Sequence, residues 1–141
     1  SSDLKRRPLP GTAPTDAKAS ALYPNAGLAI REAMARGFDN AILLDPLGNV
    51  AEFAAANLFI VKNGAVHTPV PNRTFLNGIT RQTVMGLAAK RQMKVVERVI
   101  KPEELAIAED AVREGFEAVV ISDASRAIAP STISTNRMLV R

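Results

Sequence analysis

The sequence of 141 residues predicts an α+β fold with a mixed, barrel-like sheet and surrounding helices. Three observations predict it. Short apolar runs separated by turn residues fill the stretch from Ala41 to Thr68, and segments of helical period flank that stretch on both sides. Strands and helices are interspersed without the strict β-α-β alternation of a doubly wound sheet.

Taken in order, Leu9-Pro10-Gly11-Thr12-Ala13-Pro14 is proline-rich and extended, so residues 1–15 read as an interdomain linker or lead-in segment. From Asn25 to Gly37, Leu28, Ala29, Glu32, Ala33 and Arg36 fall on i, i+3, i+4 steps, and Gly37 is placed to end a helix. Ala41 to Asp45 is a buried-strand run, Pro46-Leu47-Gly48-Asn49 is turn chemistry, and Val50 to Phe53 begins the return strand. Leu58 to Val61 and Ala65 to Thr68 flank Asn63-Gly64, whose tolerance of positive φ suits a type I′ hairpin. The middle of the chain is thus expected to be a β-meander. Pro69 to Asn77 reads as a loop, and Thr80 to Arg91 as a helix with Val84, Leu87 and Ala88 inward. Lys94 to Ile100 reads as a strand, Pro102 opens a short helix through Ala108, and Ala118 to Ser122 forms a further strand.

Composition removes several function classes. There is no cysteine, which excludes disulfides, thiolate zinc sites and a cysteine nucleophile, and the single His67 makes a Ser-His-Asp triad a poor starting point. The net charge of +4 is scattered apart from Lys5-Arg6-Arg7 and Lys90-Arg91, and aromatics are only 4%, too few for nucleic-acid stacking platforms. No apolar run approaches the roughly 20 residues that span a bilayer. The expectation is a cytoplasmic protein that binds neither nucleic acid nor membrane.

Three elements carry candidate chemistry. Lys18 stands in Asp16-Ala17-Lys18-Ala19-Ser20, with Tyr23 five residues on. Alone it would read as a solvated surface charge. Glu52 sits in the otherwise apolar run from Val50 to Phe59, where an inward carboxylate needs a cationic partner and an outward one needs nothing. Leu76-Asn77-Gly78-Ile79-Thr80-Arg81 places a glycine and a hydroxyl at a helix start whose free N–H groups can receive a phosphate.

Together, Glu52, Ala54, Asn57, Leu58 and Phe59, then Val66 and Thr68, then Leu76, Gly78, Ile79 and Arg81, resemble the class IV aminotransferase signature in type and spacing. Lys18 and Tyr23 are similar to the family's cofactor lysine and the tyrosine that follows it. The similarity runs from about Pro8 to Ile100 and is nearest to branched-chain aminotransferases, with D-amino-acid transaminases and aminodeoxychorismate lyase less close.

The resemblance implies the cofactor domain of that fold, with residues 16–130 as an incomplete cofactor-binding domain and 131–141 as a divergent tail. It implies pyridoxal 5′-phosphate held as an imine on Lys18, the catalytic base, with Glu52 facing the pyridine nitrogen and Tyr23 the ring 3-oxygen. Ile79 and Thr80 would bind the phosphate, and Arg81 would support the loop. The second phosphate loop aligns at 122–126, where Ala124 takes the family's threonine position and Ser122 and Ser125 are the available donors. Residues 109–116 look like extra sequence, and the family's amino-terminal domain, with its phosphate-binding arginine, is missing. The implied reaction is transamination of branched-chain amino acids with 2-oxoglutarate, in a homodimer or with a complementing amino-terminal domain. The alternatives are lyase activity on aminodeoxychorismate and a non-catalytic fragment serving as an assembly partner.

Overall fold

The computed structural model describes residues 6–105 and 138–139. After a 3-10 turn, Ser20–Leu22, helix α1 spans Tyr23–Ala35 with Pro24 in its first turn, where the missing N–H lacks an intrahelical acceptor in any case. Its inner face is Ala26, Ala29 and Ala33, small enough to bring the helix close against Ala41 and Leu43. Leu28 is exposed, and Glu32 pairs with Arg36 at 3.6 Å across the outer side. Gly37, at φ 80°, ends the helix: its N–H bonds to Met34 O and that of Phe38 to Ala33 O, the crossed pattern that a left-handed residue permits.

Strands β1 (Asn40–Leu44) and β2 (Val50–Phe53) pair antiparallel, with a register irregularity between Leu43 and Leu44. Asp45 ends β1 instead of extending it. Its buried carboxylate accepts from the Asn49 N–H at 2.8 Å, Asn49 Nδ2 at 2.9 Å and Asn72 Nδ2 at 2.9 Å, so one side chain closes the turn and ties it to a distant loop. Strands β3 (Ile60–Lys62) and β4 (Ala65–Pro69) form the expected hairpin, with Asn63 at φ 52° and Gly64 at φ 71°. Helix α2, Ile79–Lys90, then crosses to β5 (Lys94–Arg98), which lies parallel to β4. Val84 packs with Phe59 and Val66, while Met85 and Ala88 pack at the margin. A helical turn at 102–105 and strand β6, Met138–Leu139, complete the described elements. The expected helical extension to Ala108 and the strand at 118–122 lie outside the described residues.

The expectation of a barrel-like sheet is overturned. Among the described residues there are two three-stranded sheets, ordered β2-β1-β6 and β3-β4-β5, each mixed and neither closed. The meander also fails, because β2 and β3 do not pair. Ala54 to Ala56 bend the chain, with the Phe53 N–H bonded to Ala56 O, and the carbonyl of Leu58 is taken by the Thr68 hydroxyl at 2.8 Å. Small residues and one buried hydroxyl therefore divert the chain where apolar content suggested a continuous ladder. Ile42, Val50, Phe53, Leu58, Ile60, Ile100 and Leu105 form one core shared by the two hairpins. No helix among the described residues is long and apolar enough to cross a membrane.

Candidate functional site

A cleft of about 1050 Å³ opens between the start of α1, strand β2 with the bend after it, and the start of α2. Lys18, Tyr23, Glu52, Ile79 and Thr80 all line it. Residues spread over more than sixty positions of sequence are thus brought to one cavity, of a size that takes a cofactor-sized molecule. Ser122 and Ser125 lie outside the described residues. Among the described residues, no cluster of His, Asp or Glu has the make-up of a metal site.

Lys18 sits on a turn stabilised by the Ala17 N–H to Pro14 O at 3.2 Å. The turn is fastened to the loop before α2 by the Thr15 hydroxyl, which donates to Arg73 O at 2.5 Å, and by an exposed ion pair between Asp16 and Arg73 at 3.8 Å. The lysine itself is exposed at the rim of the cleft. Tyr23, the first residue of α1, is 55% exposed on the same rim.

Glu52 occupies the floor. It lies between buried Ala51 and Phe53, so strand alternation sends its side chain to the face opposite theirs. The side chain is only 16% exposed, and among the described residues Arg7 stands in ion-pair range, its Nε 3.4 Å from Oε1. Burial pushes the carboxyl up from 4.5 to about 7, against the lowering influence of Arg7. A carboxyl poised there needs a partner bearing a proton or a positive charge.

At the third wall, Gly78 is the N-cap of α2 with an extended backbone and no side-chain capping bond. The first N–H groups of a helix have no intrahelical acceptor, so those of Ile79 and Thr80 are placed to meet an anion. Ile79 is 85% exposed. Arg81 does not reach into the cleft. At 1% exposure it donates to Asn77 Oδ1 at 2.8 Å, Pro69 O at 2.8 Å and Glu97 Oε1 at 2.6 Å, which holds the helix start against β4 and β5.

Arg7 escaped the sequence reading, where it counted only as part of a basic cluster. Its one available signal was indirect: an inward Glu52 requires a cation, and the strand containing it offers none.

Comparison with known proteins gives a consistent result. The family model described as "Amino-transferase class IV" matches residues 2–135. A branched-chain-amino-acid aminotransferase of Pseudomonas aeruginosa is 44% identical over 106 residues, covering 75% of this chain and 34% of the relative. A probable branched-chain-amino-acid aminotransferase of Aquifex aeolicus is 41% identical over 116 residues, 82% of this chain and 37% of the relative. The chain therefore spans about a third of the length of the curated relatives it matches. Among solved structures, an aminotransferase from Brucella abortus bound to the cofactor PLP superposes with a TM-score of 0.69 at 51% identity, over 72% of this chain and 36% of that one. A branched-chain aminotransferase from Thermoproteus uzoniensis with norvaline gives 0.72 at 36% identity, over 86% and 39%. The chain belongs to the class IV aminotransferase family.

Proposed function

We propose that this chain holds pyridoxal phosphate in an enzyme that transaminates branched-chain amino acids with 2-oxoglutarate as amino acceptor. The observation that carries the reading is the convergence of Lys18, Tyr23, Glu52, Ile79 and Thr80 on one cleft. That donor set fits the cofactor: an amine for its aldehyde, a buried carboxyl for its ring nitrogen, a phenol for its ring oxygen and a helix start for its phosphate. When bound, pyridoxal phosphate supplies an electrophilic aldehyde and a ring that takes up electron density. The similarity to a branched-chain-amino-acid aminotransferase and to an aminotransferase bound to PLP supports the same substrate class and cofactor.

The protein's own groups divide the remaining work. Lys18 Nζ would provide the covalent tether and, once the substrate amine has displaced it, would move the proton from the substrate Cα to the cofactor carbon. The Glu52 carboxylate would hold the proton on the ring nitrogen. The Tyr23 hydroxyl donates to the ring oxygen, and the N–H groups of Ile79 and Thr80, with Thr80 Oγ1, bind the phosphate. Arg81 keeps the helix start in place without reaching into the cleft. Lys18, Tyr23, Ile79 and Thr80 are exposed around the cleft, which supports a further wall from a partner copy or another segment of the enzyme.

The test is direct. The chain mixed with pyridoxal phosphate is expected to gain an absorbance band near the visible edge, and borohydride followed by peptide mass spectrometry is expected to place the adduct on Lys18. A folded chain that forms no adduct overturns the proposal. Glutamate formation from 2-oxoglutarate with leucine, isoleucine or valine is the expected activity of the complete enzyme. Pyruvate release from aminodeoxychorismate would point instead to the related lyase.

A further inference from the structure

We propose that Arg7 is a positioning residue of this cleft: its guanidinium holds the Glu52 carboxylate at the floor and locks that floor to the loop leading into α2. The inference rests on the reading above for what Glu52 does, and extends it to a residue outside the signature.

Arg7 is tied to three parts of the site. Its backbone N–H donates to Leu44 O at 2.7 Å, fixing the lead-in segment on the end of β1. Its Nε donates to Thr74 O at 2.8 Å, in the loop that runs on to Leu76 and Gly78. The same Nε lies 3.4 Å from Glu52 Oε1, with the two side chains 8% and 16% exposed. The neighbouring Arg6 is placed differently: it is exposed and its Nη1 bonds to Pro46 O at 2.8 Å. Of the adjacent basic pair, one member is therefore a surface contact and the other part of the cleft.

The geometry has an electrostatic consequence. Besides Glu52 itself, the ionisable groups lining the cleft among the described residues are Arg7 from the lead-in segment, Lys18 from the turn and Tyr23 from α1; the described residues lining it from α2 contribute none. Arg7 is the buried cation of that set and stands in ion-pair range of the carboxylate. Without it, an ionised Glu52 would stand in a largely desolvated position with no ion-pair partner among the described residues. Because the guanidinium stays charged at all working pH values, it favours the carboxylate whether or not the cleft holds a ligand.

The experiment is a carbon-detected NMR titration of the Glu52 side-chain carboxyl in the ligand-free full chain, run beside pyridoxal phosphate binding. In the wild type the midpoint is expected near 7. Arg7→Met is expected to raise it by about one pH unit, and Arg7→Lys, which keeps the charge, to restore most of that difference. Pyridoxal phosphate affinity is expected to fall about tenfold in Arg7→Met and less in Arg7→Lys, since an uncharged floor holds the ring nitrogen's proton less well. If Arg7→Met does not fold, Arg7→Gln carries the same expectation, as it removes the charge and keeps a donor for Thr74 O. A folded charge-removing variant in which the Glu52 midpoint does not move overturns the role of Arg7. A wild-type chain that takes up no pyridoxal phosphate overturns the proposed function itself, and the two failures are read from separate signals.

Discussion

Lys18 and Glu52 face the same cleft under opposite conditions. Lys18 stands at an exposed rim made of a turn and two helix starts, held by short-range bonds and by a few contacts to the loop after β4. Glu52 lies at a buried floor whose countercharge comes from a residue far away in sequence. The rim can be rearranged at little cost to the fold, whereas the floor and its supports are part of the core. The difference teaches that the groups which would meet a ligand and the groups which hold the cleft open are separate sets, and substitutions should sort accordingly.

The largest loss of stability is expected at a support and not at the rim. Arg81→Met would leave the buried carbonyl of Pro69 without its donor and release Asn77, so the urea midpoint should drop by an amount equivalent to about 2–3 kcal/mol. Its ion pair with Glu97 adds little to that figure, because Glu97 is 41% exposed. A change below half a kcal/mol, a roughly surface-like value, would erase the distinction between support and rim.

Glu52→Gln sharpens the comparison through pH. The folded-state value of about 7 exceeds the ordinary 4.5, so the folded ligand-free chain binds the proton more tightly than the unfolded chain does. Stability should then fall as pH rises from about 4.5 to 7, and stay lowered above that. The glutamine variant lacks this dependence. It should gain on the wild type by up to about 3 kcal/mol between pH 4 and pH 8, measured by chemical denaturation at both ends. Glu104 does not confuse the window, since its hydrogen bond from Arg98 holds its carboxyl below 4.5. At the same time Glu52→Gln should weaken transamination in the complete enzyme, so stability and activity would move in opposite directions.

The smallest effect is expected at the rim. Thr80→Val removes a hydroxyl from an exposed position, so the unfolding midpoint should stay put, while pyridoxal phosphate binding weakens roughly fivefold to tenfold, about 1 kcal/mol for one lost hydrogen bond. Isothermal titration against circular dichroism melting separates the two quantities. A stability loss equal to the binding loss would show that the rim is not separable from the core.

Local signals were read correctly where the chemistry is local. Asn63-Gly64 permits positive φ at both turn positions, and the structure has both. Gly37 ends α1 as its lack of a Cβ allows. That Lys18, Tyr23, Glu52, Ile79 and Thr80 line one cleft was foreshadowed by the signature that joins them, and the role of each is the proposal made above. Three features were not legible. Asp45 looked like the end of a strand, yet its role depends on Asn72. The bend at Ala54 to Ala56 looked like a strand connection, because apolar content says nothing about which neighbour a strand pairs with. Arg7 looked like surface charge.

By itself, then, the sequence determined local turns and helix ends and supplied the cast of groups proposed to hold a phosphorylated cofactor, since each depends on backbone preference and residue type over short spans. Only the tertiary structure decided that, among the described residues, the two hairpins lie in separate open sheets, and that Arg7 is buried against Glu52. Both are outcomes of long-range packing: a buried carboxylate is tolerable only beside a cation, and which cation arrives is decided by where the folded chain brings it.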